Sequence, residues 1–504
     1  IDWSYELLDD AERALFRRLA VFSGGFDYEA VKAVCGGGPV PDEPLGILTA
    51  LVDKSLVAAA PGAAGKGRYR LLETIREYAA ARLSENREAA ALQEAHARHF
   101  LALAEEAAPQ FFLGEQVAWM RRLRPEADNF RAALEWSREA QPPVLARLAA
   151  ALRNFWYMRG QYAEGRQWLG AALEAGIDDA GLRSRVLRQD GMMAWRQGDF
   201  MFARHRFEEA LELERRGHDQ IGLVAALGGL GFVYFGTDDF RAAAPLFEEA
   251  LALARQSGDQ YLLADALQNS GILALQLGNL TEAHTHLTGS LEIFSRTNDV
   301  SGVAYTSQLL ALVLTQQGDL KGATRLVDQA IKNQAELGDT AGFAGALLSA
   351  AELAAAQRRP ERAMLLEGAA QQRLRSIGSH LPSLFQASRD RWLAAAQQRL
   401  GARVRPLLEK GARLDDEQVA RLVLSGADDL AGIAEHGGDE PLSRRELEVA
   451  ELLASGLTNR QISSKLHLSE RTVDAHAEHI RGKLGVRSRA QIAAWVMQRA
   501  APRA

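Results

Sequence analysis

Residues 198–259, GDFMFARHRFEEALELERRGHDQIGLVAALGGLGFVYFGTDDFRAAAPLFEEALALARQSGD, decide the fold. Shifted by 40 positions, the stretch falls on itself: Gly198-Asp199-Phe200 returns as Asp238-Asp239-Phe240, and Phe207–Leu211 returns as Phe247–Leu251. The same step works outward. Ala203, Ala243, Ala283, Ala323 and Ala363 form one column, and Gly191, Gly231, Gly271, Ala311 and Ala351 a second. Leu211, Leu251, Leu291 and Ile331 form a third, and Asp219, Asp259, Asp299 and Asp339 a fourth. Insertions would break this register, so the units stack directly.

Within each unit the apolar residues keep a 3.6-residue period on both sides of a turn, which predicts two helices. Small residues let the helices approach, and large apolar ones fill the gaps between units. One unit cannot bury its face alone, so the array stacks into a superhelix. The pattern resembles tetratricopeptide repeats, whose period is about 34 residues; a period of 40 implies longer helices or longer loops. A weaker copy precedes it at Phe155–Ala175, with its turn at Gly160-Gln161-Tyr162. The fifth copy loses the Gly-Asp turn at Arg359-Pro360.

Three helical patterns (Ala11–Phe22, Tyr28–Cys35, Leu45–Val52) and a β-hairpin open the chain. The hairpin strands are expected at Ser55–Val57 and Arg68–Leu72, around the Gly/Ala-rich tip Ala60–Gly67, before a helix at Glu73–Leu83. Three helices and a hairpin describe a winged helix. The expected fold is therefore mostly α: a winged helix (1–84), connecting helices (85–141), an α-solenoid (142–375), capping helices (376–432), a linker (433–440) and a four-helix C-terminal domain (441–504).

That last domain differs in charge. From Glu440 onward 11 Lys/Arg stand against 7 Asp/Glu, a net +4, whereas the whole chain of 504 residues carries −6. A basic module on an acidic body is the asymmetry of a nucleic-acid-binding domain. Ser443 with Glu446, Thr458 with Gln461 and Ser488 with Gln491 are capping boxes, and Ser469 is a further N-cap with Thr472 at N3. Gly456 and Gly485 mark helix ends. Helices are expected over about 443–455, 458–466, 469–484 and 488–499. Only His467-Leu468 separates the second and third, the short turn of a helix-turn-helix. Leu447, Ala450, Leu453, Ile462, Leu466, Val473, Ile480 and Leu484 are the expected core.

LSRRELEVAELLASGLTNRQISSKLHLSERTVDAHAEHIRGKLGVRSRAQIAAW, residues 442–495, resembles the LuxR-type helix-turn-helix along nearly its whole length. The resemblance implies that the third helix enters the DNA major groove and that the fourth pairs two subunits. Helix N-termini at Thr458, with Asn459, and at Ser469, with Thr472, suit phosphate. Arg460, Lys465, Arg471, Lys483, Arg487 and Arg489 can neutralise it. Glu470, Asp474, Ala475, His476, Glu478 and His479 complete the expected DNA-binding set, with the base edges falling to Glu470, Asp474, Ala475, His476 and Glu478. Many relatives carry lysine at the positions of Asp474 and Glu478; carboxylates repel phosphate but can accept from cytosine amino groups.

The N-terminal stretches IDWSYELLDDAERALFRRLAVFSGGF, LVDKSLV and RYRLLETIREYAAARL resemble the winged-helix segment of signal-transduction ATPases with numerous domains. Asp128-Asn129-Phe130-Arg131-Ala132-Ala133-Leu134 resembles the helix that joins this segment to the repeats. In such relatives a P-loop NTPase comes first; this chain opens at Ile1 inside a helical pattern, as a fragment or truncated gene would. Gly62-Ala63-Ala64-Gly65-Lys66-Gly67 is no P-loop, because its glycines are too close and Gly67 replaces the Mg²⁺-binding hydroxyl. The expectation is no enzyme and no cofactor in this chain, ATP belonging to the upstream domain of relatives. The winged helix counts 10 Lys/Arg against 12 Asp/Glu, which favours a coupling role over DNA reading.

Competing readings are weaker. Cys35 is the sole cysteine, which excludes an intrachain disulfide and a Cys-x-x-Cys zinc site. His96/His99 and His476/His479 lack a ligand set around them, and His284/His286 do not share a helical face. Glu208-Glu209 and Glu248-Glu249 recur with the repeat, as a solvated stripe does. Trp156, Trp168 and Trp195 are expected in the core, although an aromatic concave face can bind a peptide or small effector. No transmembrane run or signal peptide is present. The sequence reading is a cytoplasmic bacterial transcriptional regulator, nucleoid-associated when bound. Its partners are duplex DNA, a second copy through the C-terminal helix, an effector on the repeats and RNA polymerase, with no membrane. The alternative is a repeat scaffold for protein–protein interaction with a vestigial DNA-binding tail, for which Asp474 and Glu478 speak.

Overall fold

The structure is a computed structural model. It describes residues 1–61, 67–112, 114–217, 219–379, 383–425, 444–454, 457–466 and, further on, 473, 477, 480–481, 484, 486, 491–493 and 495–496. The chain divides into two units, Ile1–Val423 and Leu424–Ala504.

The first unit opens with α1 (Asp2–Glu6), α2 (Asp10–Arg18), β1 (Phe26–Asp27), α3 (Tyr28–Cys35), α4 (Leu45–Asp53), β2 (Ala58–Pro61), β3 (Gly67–Arg70) and α5 (Glu73–Glu85). Asp9 and Glu12 close a reciprocal capping box at α2. The expected Ala11–Phe22 helix tightens into a 3₁₀ turn at Leu19–Val21. The hairpin differs from expectation at both ends. Ser55 takes a left-handed φ of 57°, so 55–57 turn and the first strand starts at Ala58, while β3 ends at Arg70. β3 is central, with β2 on one side and the short β1 on the other, Phe26 facing Tyr69. The tip residues 62–66, where the P-loop lookalike falls, lie outside the described residues.

Four helices follow: α6 (Ala89–Ala107), α7 (Gln116–Leu123), α8 (Ala127–Ala140) and α9 (Pro142–Ala151). The solenoid begins with the short pair α10 (Arg153–Met158) and α11 (Tyr162–Glu174). Five long pairs come next: α12/α13 (Ala180–Arg196, Phe200–Gly217), α14/α15 (Gln220–Gly236, Phe240–Ser257), α16/α17 (Gln260–Gln276, Leu280–Arg296), α18/α19 (Val300–Gln317, Leu320–Leu337) and α20/α21 (Thr340–Ala356, Pro360–Ser376). The helices run 17 or 18 residues between short turns, so the 40-residue period comes from helix length.

The columns have physical jobs. Asp219, Asp259, Asp299 and Asp339 each accept a backbone N–H at a helix N-terminus, and Asp179 extends the column by one unit. In the turns inside the pairs, positions 198, 238, 278, 318 and 358 all have positive φ, held by Gly198, Asp238, Gly278, Gly318 and Arg358. The fifth unit therefore keeps the turn geometry after losing its glycine. A Cβ on Gly231 would stand 2.5 Å from the Phe247 ring, and one on Gly271 would stand 2.7 Å from Leu287, which is why that column is small.

α22 (Ser383–Leu400), α23 (Val404–Arg413) and α24 (Asp416–Leu424) follow the repeats. Gly368 of α21 meets the Leu408 backbone, and Gly411 of α23 meets that of Leu365, a close crossing that only glycine permits. Arg362 donates to the Val423 carbonyl (2.9 Å), tying α21 to the end of the cap.

The solenoid also returns onto its own beginning. Buried Gln116 of α7 donates to the Phe111 carbonyl and to Asp299 Oδ1, both at 2.7 Å, and accepts from the Ser301 amide at 3.2 Å. Ser379 Oγ donates to the Arg196 carbonyl (3.0 Å). Gly160 abuts Ile377, and Gly338 abuts Arg124. Among the described residues no helix is long and apolar enough to cross a membrane.

Candidate functional site

The second unit holds its own core: Val449, Ala450, Leu453, Ile462, Val473, Ala477, Ile480 and Ile492 are buried, flanked by Leu447, Leu484 and Trp495. Helical spacing predicts Leu447, Ala450, Leu453, Ile462, Val473, Ile480 and Leu484 of this set, Val473 and Ile480 on the third helix among them. Leu466 is helical, but its side chain lies outside the described residues. Two helices are described in full, Arg444–Ala454 and Asn459–Leu466.

The capping box at the second helix is formed. Thr458 N donates to Gln461 Oε1 (2.9 Å), and Gln461 N donates to Thr458 Oγ1 (3.3 Å). This fixes the helix end that was expected to face phosphate, with Asn459 as its first residue. Arg460 and Lys465 lie on the same helix. Ser469, Glu470, Arg471, Thr472, Asp474, Ala475, His476, Glu478, His479, Lys483, Arg487 and Arg489 lie outside the described residues, as do Ser443 and Ser488.

In the winged helix α4, third in order after α2 and α3, carries no Lys or Arg. Lys54 at its C-cap donates to Glu12 of α2 (2.6 Å) and so is already neutralised. The other face of the winged helix is bound to the connecting helices. Asn129 of α8 accepts from the Ser23 amide (2.8 Å) and donates to the Gly25 carbonyl (2.7 Å) and to Glu126 Oε2 (2.8 Å). Arg68 of β3 donates to the Pro125 carbonyl (2.7 Å) and pairs with Glu126. His96 is buried beside Asn129 Oδ1 (3.3 Å) and packs on Phe22 and Phe100; burial pushes its pKa down to about 4. Burial also holds His99 below the usual histidine range. Among the described residues no cluster of His, Cys, Asp or Glu could hold a metal.

The sequence anticipated an aromatic concave face but not the charged groups on it. The returning solenoid encloses a cavity of about 230 Å³, walled by α10, by the first helices of the five long pairs and by the 108–112 turn. Trp156, Trp168 and Trp195 are buried as expected, and Trp195 also faces this space while its Nε1 donates to the Phe232 carbonyl (2.8 Å). Asp265 of α16 faces it too. Burial pushes the Asp265 carboxyl up to about 6; Arg153 and Asn269 pull it down, and Asp299 adds to the rise. The signal that could have found it was a set of variable positions inside a regular register: Asp265 aligns with Arg185, Ala225, Tyr305 and Gly345.

Fold and core define a winged-helix and helical-repeat protein with a C-terminal helix-turn-helix. Residues 440–496 match the bacterial regulatory proteins of the luxR family, residues 8–84 a winged helix-turn-helix domain and residues 182–256 the tetratricopeptide repeat. The chain thus carries a LuxR-type helix-turn-helix, a winged helix and tetratricopeptide repeats in one polypeptide. It is 39% identical over 242 residues to a protein named as an HTH-type transcriptional regulator in Mycobacterium tuberculosis, covering 45% of this chain and 27% of that protein. It is 41% identical over 58 residues to the oxygen regulatory protein NreC of Staphylococcus aureus, covering 12% of this chain and 27% of NreC. The chain spans about a quarter of the length of the curated relatives it matches. Among solved structures, a signal transduction ATPase with a tetratricopeptide repeat sensor from Pyrococcus horikoshii aligns with a TM-score of 0.40 and 17% identity, over 81% of this chain and 63% of that one. A Rap protein complexed with competence and sporulation factor aligns with 0.41 and 15%, over 59% of this chain and 87% of that one.

Proposed function

We propose that the protein is a bacterial DNA-binding transcriptional regulator whose repeats serve as a sensor or partner platform. The observation that carries the reading is the luxR-family match over 440–496, on a unit with its own buried core and a closed capping box at Thr458. The second helix sets its N-terminus and Arg460 and Lys465 against phosphate, and the third reads base edges from Glu470, Asp474, Ala475, His476 and Glu478. Two copies pair through the fourth helix on a two-fold site. RNA polymerase, an effector on the repeats and a cytoplasmic, nucleoid-bound location complete the proposal. The winged helix couples rather than reads, since its α4 is without Lys or Arg and its opposite face is bound to α8. The chain is not proposed as an enzyme.

The test is selection of sites from random duplex DNA with the whole chain, followed by titration at several salt concentrations. A two-fold motif is expected. Substituting Arg460, Lys465 and Lys483 by Ala should lower affinity and flatten the salt slope by about one unit for each phosphate left without its cation. An unchanged slope would refute the phosphate assignment. The second reading, a protein–protein scaffold, rests on the carboxylates Asp474 and Glu478; it gains if no motif emerges and the repeats retain a partner.

A further inference from the structure

The cavity inside the solenoid contains polar groups that the fold leaves without partners. Among the described residues Asp265 has a single hydrogen bond, from Asn269 Nδ2 at 3.4 Å, and no cation within 4 Å. Arg153 of α10, on the same cavity, donates to Asn154 Oδ1 (2.6 Å) and lies over the Tyr157 ring, with no carboxylate in reach among the described residues. Each thus carries an opposite charge that the other feels but does not neutralise by contact. Gln308 and Gln334 are 2% and 1% exposed and also line the space; their Oε1 atoms accept no hydrogen bond from any described group. The nearby Asp299 and Asp339, by contrast, are occupied as helix caps. Arg196 also lines the space, but it is engaged by the Tyr157 hydroxyl (2.7 Å) and lies over the Tyr157 and Trp195 rings. Much of the remaining wall is aromatic, with Tyr261, Tyr305, Trp195 and Phe232. Tyr261 keeps 37% of its surface open and meets Phe112 edge-on at 4.9 Å, so the space remains reachable between the connecting segment and the third long pair.

We propose that this cavity binds a small zwitterion of amino-acid type: an ammonium group at Asp265, an anionic group at Arg153, and an apolar or aromatic body against the rings. The proposal rests on the reading of the repeats as a sensor and names what they sense. A neutral ligand such as a sugar would cover two opposite charges without pairing either, which is costly. A simple cation would cover Arg153 without pairing it, and a simple anion would do the same to Asp265. The free carbonyl oxygens of Gln308 and Gln334 offer further acceptors to a ligand N–H elsewhere in the space. Size agrees. A cavity of about 150 Å³ takes benzene, so this one takes on the order of ten non-hydrogen atoms, a single amino acid. Such a ligand would bridge α10 to α16 and reinforce the closure of the solenoid on the connecting helices.

The test uses the full chain without DNA. Phenylalanine, leucine and the dipeptide Leu-Phe are titrated by calorimetry, each alongside its N-acetyl and C-amide form. At least one free zwitterion should bind and raise the melting temperature. Either blocking group should weaken binding tenfold or more. Asp265→Asn should weaken the free amine at least tenfold while leaving the weak N-acetyl binding unchanged, and Arg153→Gln should do the same for the carboxylate and its amide. Unliganded melting temperatures of both variants control for folding. No binding of any free zwitterion at millimolar concentration, binding indifferent to both variants, or a neutral sugar bound equally well would overturn the proposal. DNA binding is measured separately on the same preparations. Zwitterion binding by a chain that selects no DNA motif would sink the regulator reading alone, and the reverse result would sink this one alone.

Discussion

Asn129 shows how much one side chain decides. All its polar atoms are engaged, linking α8 to the Ser23–Gly25 corner of the winged helix and to His96. Asn129→Ala leaves the Ser23 amide and the Gly25 carbonyl without their partner, and should cost about 2–4 kcal/mol in urea unfolding. A cost below about 1 kcal/mol would mean the corner is held by something else. His96 adds a pH dependence. Its folded pKa lies near 4 against 6.5 when free. Between these values the unfolded chain takes up a proton that the folded chain refuses, so stability falls as pH drops below 6.5 and levels off below about 4. The loss approaches about 3 kcal/mol. His96→Gln should remove that slope, and a variant with the wild-type acid profile would assign the slope to the carboxylates instead.

At the scale of elements, two glycines predict opposite outcomes. A Cβ on Gly231 would stand 2.5 Å from the Phe247 ring, so Gly231→Ala should lower the melting temperature, overpacking costing about 1–3 kcal/mol against a helix-propensity gain of about 1. A Cβ on Gly170 of α11 would meet no other group within 4 Å, and Gly170→Ala should raise it slightly. Equal effects would deny the packing role of the Gly191–Gly231–Gly271 column. That column was legible because a repeat prints its packing rules several times over, and so were the aspartate caps. β1 was not legible: Phe26 and Asp27 become a strand only by pairing with Tyr69 and Arg68, over forty residues later, and two residues carry no alternation to read. The hairpin slipped for a local reason, the left-handed Ser55, at a position with no Gly or Asn to announce it. Asp265 and Arg153 stayed hidden because they break the period; two residues more than a hundred apart come to line one cavity only when the superhelix curves round.

At the scale of the molecule, closure changes how the array should behave. A repeat array couples neighbours only, so it opens from its ends. In the first unit the fourth long pair is fastened instead to a helix that precedes the first, through Gln116 with Asp299 and Ser301. Both groups are helix-capping elements, so losing Gln116 exposes a buried cap rather than a surface group. Gln116→Ala should therefore let α18 and α19 open locally. Their slowest amides should lose protection by a factor of about 10–100, the equivalent of about 1.4–2.7 kcal/mol, while α12 and α13, whose caps are their own, keep theirs. Hydrogen exchange resolved by peptide decides it. A uniform loss across all pairs would mean the solenoid opens as one block, and no loss would mean the Ser379–Arg196 and Gly160–Ile377 contacts hold the closure without α7. The middle outcome, opening confined to the fourth pair, would make the closure a separable hinge, so that occupation of the cavity beside it is felt at the connecting helices and the winged helix bound to them.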